Sequence, residues 1–159
     1  MLNIPKDIKM IITDFDGIVT DNNVYIDEKG NMTRRLNFYD VMGFSILKKH
    51  KYRVAIISGE KNSAIELIKR KFGIDEVHQD VRNKIDVLKQ IINKYKLNHN
   101  EYVYIGDDVN DIECLKFSTI RITVPNATSK VRRIRDIQTT TRKGGEGAFR
   151  EVVDCLTDI

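Results

Sequence analysis

Acidic residues recur in this chain at positions suited to metal-assisted chemistry on a phosphate ester. Asp14-Phe15-Asp16-Gly17 closes one apolar run, with Thr20-Asp21 just beyond. Gly106-Asp107-Asp108 closes another, with Asp111 one helical turn further on. Ser58-Gly59 ends a third run, and Lys84 follows the short segment Glu76-Val77-His78. Each cluster alone reads first as a turn, because Asp and Gly favour turns for local reasons. Together, Asp14, Asp16, Asp107, Asp108 and Asp111 crowd negative charge that cannot all stay ionised without compensation. A hard divalent cation is the natural counter-charge, and magnesium accepts a few carboxylates plus waters. A phosphate monoester then fits as substrate: the cation and Lys84 neutralise it while Ser58 and backbone N–H groups hold its oxygens. One carboxylate can attack phosphorus in line, giving an aspartyl-phosphate. A carboxylic acid two residues later can protonate the departing alkoxide and then activate water. Asp14 and Asp16 have that spacing.

Such a convergence needs elements that carry distant segments to one edge. Lys9 to Thr13, Arg53 to Ile57 and Tyr102 to Ile105 are short, nearly continuous apolar runs, the pattern of strands covered on both faces of a parallel sheet. Glu76 to His78 and Thr119 to Val124 read as further strands. Between them, Ile65, Ile68 and Phe72 line a helix from about Asn62 to Phe72, with Gly73 as its stop. Ile85, Leu88, Ile91, Ile92 and Tyr95 stripe a second helix, and Phe149, Val152, Val153 and Leu156 a third. A helix is also expected from Thr128 onward. Val24-Tyr25-Ile26 and Met32 to Phe38 flank the turn-rich Asp27 to Asn31, which predicts a β-hairpin before the first helix. The alternation predicts an α/β fold, a doubly wound (Rossmann-like) parallel sheet of at least four strands with a hairpin flap. Ligands of such sheets gather at the carboxyl ends of the strands, where the polar clusters stand.

The 159 residues, 41% apolar and 31% charged, predict a single domain over 1–159 and exclude a disordered or collagen-like chain. No apolar run approaches the roughly 20 residues of a membrane helix, and Met1 to Met10 lack a signal-peptide core. Two cysteines, Cys114 and Cys155, are too few for a disulfide framework and fit a reducing cytoplasm. Part of the +4 net charge sits in Lys130-Val131-Arg132-Arg133-Ile134-Arg135. With no nucleic-acid reader motif beside it, a solvated face is the better reading. His50, His78 and His99 share no metal-ligand spacing.

The four motifs Asp14-Phe15-Asp16-Gly17-Ile18-Val19-Thr20-Asp21, Ser58-Gly59, Lys84 and Gly106-Asp107-Asp108-Val109-Asn110-Asp111 resemble the signature of haloacid dehalogenase-type phosphatases. The resemblance implies Asp14 as nucleophile and magnesium ligand. It implies Asp16 as general acid/base that also lends its backbone carbonyl to Mg2+, and Asp107 as the remaining metal ligand. Ser58 and Lys84 would bind the phosphoryl group, with Gly59 and Asn110 lining the substrate site and Asp108 and Asp111 in support. Thr20-Asp21 with the hairpin, Asn37 to Gly43, the tail Gly144 to Glu151 and the lack of room for a cap domain resemble a capless branch that acts on 3-deoxy sugar acid phosphates. That branch implies a homotetramer with a flexible glycine-rich tail reaching a neighbouring site. Glu60-Lys61-Asn62 after Ser58-Gly59, in place of an arginine, and Lys71 further along resemble its nonulosonate 9-phosphate members. The alternative is 3-deoxy-octulosonate 8-phosphate.

Blander roles stand beside these. Ser58 could cap the following helix, and Asp111 could cap its own. Glu60 and Lys61 equally suit an exposed first turn, and Arg150 equally suits an anionic substrate or a helix surface. Tyr25 and Phe38 read as packing residues or an inter-subunit contact, and Cys114 as a small buried apolar residue. A receiver-like or regulatory domain is the rival from another class, although it leaves Ser58-Gly59 unexplained. Asn83 before Lys84, where the family has Asp, and Ile112-Glu113 after Asp111 depart from the pattern.

Overall fold

The computed structural model describes residues 2–157. Its centre is β1 (Met10–Thr13), every residue of which is buried because helices cover both faces of the sheet. The chain then forms a hairpin of β2 (Tyr25–Ile26) and β3 (Met32–Thr33), α1 (Phe38–Lys49), β4 (Arg53–Ile57), α2 (Ser63–Phe72) and β5 (Glu76–His78). After α3 (Lys84–Tyr95) come β6 (Tyr102–Ile105), a 3-10 turn at Val109–Asp111, α4 (Ile112–Phe117), β7 (Ile120–Thr123), α5 (Ser129–Arg132), β8 (Gln138–Thr139) and α6 (Ala148–Thr157). The six-stranded sheet runs β5-β4-β1-β6-β7-β8 with every pairing parallel.

Register decides where the chemistry lies. Thr13 pairs with Ile56 on one side and Ile105 on the other, so Asp14, Ser58 and Asp107 leave the sheet along one edge. The strand order reverses at β1, which places the ligand crevice there.

The helices form where their apolar stripes meet the sheet. Phe44 of α1 stacks on Phe149 of α6 at 4.5 Å and on Phe72 of α2 at 6.2 Å. Asn62, not Ser58, caps α2: its Oδ1 accepts from the Ile65 N–H at 3.0 Å, and Gly73 ends the helix at φ 64°. Cys114 is buried, and burial pushes its thiol up to about 12.

The sequence reading is corrected in three places. The second hairpin strand stops at Thr33, and Phe38 already opens α1. Tyr25 and Phe38 are exposed, at 59% and 88%, so neither packs within this chain. The helix expected from Thr128 is a single turn, after which β8 adds a sixth strand. Exposed Lys130, Arg132, Arg133 and Arg135 surround buried Val131, as a solvated face should. No helix among the described residues is long and apolar enough to cross a membrane.

Candidate active site

Asp14 is placed by its own backbone, whose N–H donates to the Ile105 carbonyl at 2.9 Å and extends the β1–β6 ladder by one residue. Its Oδ1 accepts from the Phe15 N–H at 2.6 Å, and its Oδ2 meets the Lys84 ammonium at 2.9 Å. Lys84 opens α3, and its fully buried Nζ also reaches Asp111 Oδ1 at 2.9 Å. Asp111 is a hub. Its Oδ1 also accepts from the Tyr104 hydroxyl at 2.8 Å, and its Oδ2 from the N–H groups of Asp107 and Asp108 at 3.2 and 3.3 Å. It therefore does more than cap α4, for which it makes no side-chain cap bond.

The charges are not balanced. Burial raises the pKa of Asp14 well above the carboxylate range and the Asp111 charge adds to this, against the opposing pull of Lys84. Burial, with repulsion from Asp111 and Asp108, pushes Asp107 up to about 7. For Lys84, burial alone would lower the value, but the Asp111 and Asp14 carboxylates outweigh it and raise it. One buried lysine is too little cation for this set of acids.

The donor set fits a hard divalent ion. Asp14, Asp107 and Asp111 each offer an oxygen within 4.8 Å of the others. Asp111 is already saturated, whereas buried Asp107 Oδ1 has no hydrogen-bond partner among the described residues. An unpartnered buried carboxylate oxygen beside a second carboxylate is what a cation would satisfy. Gly17, at φ 91°, lets the backbone approach Asp107 so closely that any Cβ there would overlap the carboxylate.

A cleft of about 420 Å³ lies over this cluster. It gathers Asp14, Asp16, Ser58, Gly59, Glu60, Asp107, Asp108 and Asn110 from the residues singled out in the sequence. Ser58 Oγ donates to the Glu60 carbonyl at 2.8 Å and accepts from its N–H at 3.2 Å, shaping the loop after β4. Lys84 and Asp111 lie buried beneath. Lys61, Asn62 and Lys71 do not line the cleft. Asn62 is used in capping α2. Lys71 lies in the last turn of α2, whose ten residues span about 15 Å away from the strand ends, with its ammonium over the Phe72 ring.

Three lining residues escaped the sequence reading: Asn22, Val81 and Arg82. Val81 and Arg82 follow the carboxyl end of β5, so the rule that found Ser58 could have found them. The glycine-rich segment is likewise corrected. Gly145 N–H donates to the Ile18 carbonyl at 3.0 Å and Gly144 N–H to Asn126 Oδ1 at 2.9 Å. A Cβ on Gly144 would collide with the Gly17 carbonyl, so this loop packs on its own chain's site loop. Arg150 pairs with Asp154 on its own helix and lies outside the cleft.

Residues 19–150 match the haloacid dehalogenase-like hydrolase family, and the chain belongs to it. It is a phosphomonoesterase, with the magnesium cofactor of that family, which sets aside the receiver-like and regulatory readings. Over 151 residues it is 28% identical to the 3-deoxy-D-manno-octulosonate 8-phosphate phosphatase of Escherichia coli K12, covering 95% of this chain and 80% of that one. The structure of the Moraxella catarrhalis 3-deoxy-D-manno-octulosonate 8-phosphate phosphatase, in complex with magnesium ion, phosphate ion and KDO, is similar at TM-score 0.89 and 29% identity. That match covers 96% of this chain and 87% of the other. The cobalt-bound Haemophilus influenzae deoxy-D-mannose-octulosonate 8-phosphate phosphatase is similar at TM-score 0.87 and 25% identity, covering 96% and 89%.

Proposed function

We propose that this chain hydrolyses a 3-deoxy-2-keto sugar acid phosphate and that the eight-carbon octulosonate 8-phosphate is its substrate. The observation that carries this reading is the 28% identity, across 95% of the chain, to an enzyme of that name. It reverses the preference for nine-carbon acids drawn from Glu60, Lys61 and Lys71. Of those three, only Glu60 lines the cleft.

In this reading Asp14, Asp107 and the backbone carbonyl of Asp16 hold Mg2+, which supplies positive charge to the phosphoryl oxygens. Ser58 and the loop through Gly59 hold the phosphoryl group, with Glu60 and Asn110 against the sugar. Lys84 pins Asp14 Oδ2, fixing its rotamer and offsetting part of its charge. An Asp14 oxygen forms a bond to phosphorus as the bond to the sugar oxygen breaks, and Asp16 gives that oxygen its proton. Asp16 then takes a proton from water, whose oxygen displaces Asp14 from phosphorus. Phosphate leaves and both carboxyl groups return to their starting states.

Val24, Tyr25, Ile26, Met32, Phe38, Tyr39 and Met42 are exposed on the hairpin and the start of α1. An apolar surface of this kind supports a homotetramer in which the hairpins meet beside the sites. Two unpaired cysteines support a cytoplasmic location.

Steady-state comparison of eight- and nine-carbon keto-acid phosphates with magnesium tests the substrate. Higher kcat/KM on the eight-carbon ester is expected, and the reverse order rejects it. Asp14→Asn should abolish turnover of both.

A further inference from the structure

The two carboxylate oxygens of Asp16 have unlike surroundings. Oδ1 accepts from Arg34 Nε at 2.9 Å and from Thr20 Oγ1 at 3.0 Å. Oδ2 is buried and has no hydrogen-bond partner among the described residues, in a side chain that lines the cleft. The donor directions are forced. Thr20 Oγ1 accepts from the N–H groups of Gly17 and Asn22, both at 3.3 Å, so its single hydrogen is left for Asp16. A guanidinium can only donate. Oδ1 is thus occupied by two donors, and a proton on this carboxyl is carried at Oδ2.

We infer that Arg34 is a positioning residue for the proton-transfer step: with Thr20, it fixes which oxygen of Asp16 carries the proton and where that oxygen points. The inference rests on Asp16 being the general acid/base. Arg34 comes from the hairpin, one residue past β3, and its side chain is only 8% exposed. Its neighbours hold the same loop: Arg35 Nε pairs with Asp21 Oδ2 at 2.9 Å, and Leu36 forms a β-bridge with Thr20. Three successive residues at the base of the flap therefore grip the segment that carries the acid, and the flap's seating sets the acid's orientation.

The test is first-turnover release of the leaving group from two esters. Octulosonate 8-phosphate expels an alkoxide that needs a proton; p-nitrophenyl phosphate expels a phenolate that does not. Arg34→Met should slow release from the sugar ester about 10- to 100-fold more than from the aryl ester, a share of the ~10²–10⁴-fold that acid catalysis supplies. Its KM should move less than about threefold. Arg34→Lys should recover most of the ratio, and Thr20→Val should shift it in the same direction as Arg34→Met. Asp16→Asn, run alongside, should show the largest bias. Equal slowing of both esters by Arg34→Met and Thr20→Val, or a change in KM alone, overturns the role of Arg34 while a biased Asp16→Asn leaves the mechanism standing. An unbiased Asp16→Asn rejects the acid/base reading itself.

Discussion

Asp107 should cost the metal-free protein stability, and replacing it should give that stability back. Its carboxyl is buried, its Oδ1 has no partner among the described residues, and its pKa stands at about 7 against an ordinary 3.8. At about 1.4 kcal/mol per pH unit, that gap amounts to about 4 kcal/mol once the group is forced to ionise. The sign follows from the raised folded value. Below pH 4 the group is protonated in both states and costs nothing. Stability is then lost as pH rises from about 4 to about 7, where the unfolded chain ionises freely and the folded one resists. In EDTA at pH 8, Asp107→Asn should therefore raise Tm by about 8–16 °C, at roughly 2–4 °C per kcal/mol for a chain of this size. The advantage should disappear at pH 4. Added magnesium should raise the wild-type Tm at pH 8 by binding only the folded state, and should do much less for the variant. Thermal melts at both pH values, with EDTA and with magnesium, make the comparison. A variant less stable than wild type in EDTA at pH 8 would refute the reasoning, because it would mean that Asp107 is already satisfied by the protein alone.

Lys84→Met should lower kcat by about 10²-fold or more and destabilise the fold by about 3–5 kcal/mol, since Asp14 and Asp111 lose their shared buried cation; a melt and a phosphate-release assay read both effects. Arg82→Ala should raise KM for a carboxylate-bearing sugar phosphate about 10-fold while leaving KM for p-nitrophenyl phosphate within about twofold. The basis is that Arg82 is the one cation among the described residues lining the cleft, where a hydrogen bond to a charged group is worth about 1.5–3 kcal/mol. Asp40→Ala should cost about 1–3 kcal/mol in denaturant melts. Buried Asp40 accepts from the N–H groups of Gly147 and Arg150 at the start of α6, at 2.9 and 3.0 Å, and alanine would leave both without that partner.

Chemistry concentrated at strand ends was legible because buried parallel strands are short apolar runs, and whatever polar residue follows must stand at the sheet edge. That logic located Asp14, Ser58 and Asp107, and the helix period located α2, α3 and α6. It failed where backbone pairing acts without an apolar pattern: Gln138 and Thr139 are polar, yet they continue the sheet beside β7. It also failed for contacts between segments far apart in sequence. Arg34 lies 18 residues from Asp16, and no spacing announces their ion pair. Lys71 rested on resemblance alone, and it stands in the last turn of α2, outside the cleft.

The seating of Gly144 and Gly145 on residues 17–21 also orders events in time. A ribosome delivers Asp14 and its loop first, and the buttress behind them emerges about 125 residues later. A nascent chain can bring its central strands together in passing, yet it cannot complete the nucleophile's support until Gly144 and Gly145 are free. A nonsense codon just ahead of Gly144 would remove both the backing of the catalytic loop and α6, whose Phe149, Val152 and Val153 are buried in the core.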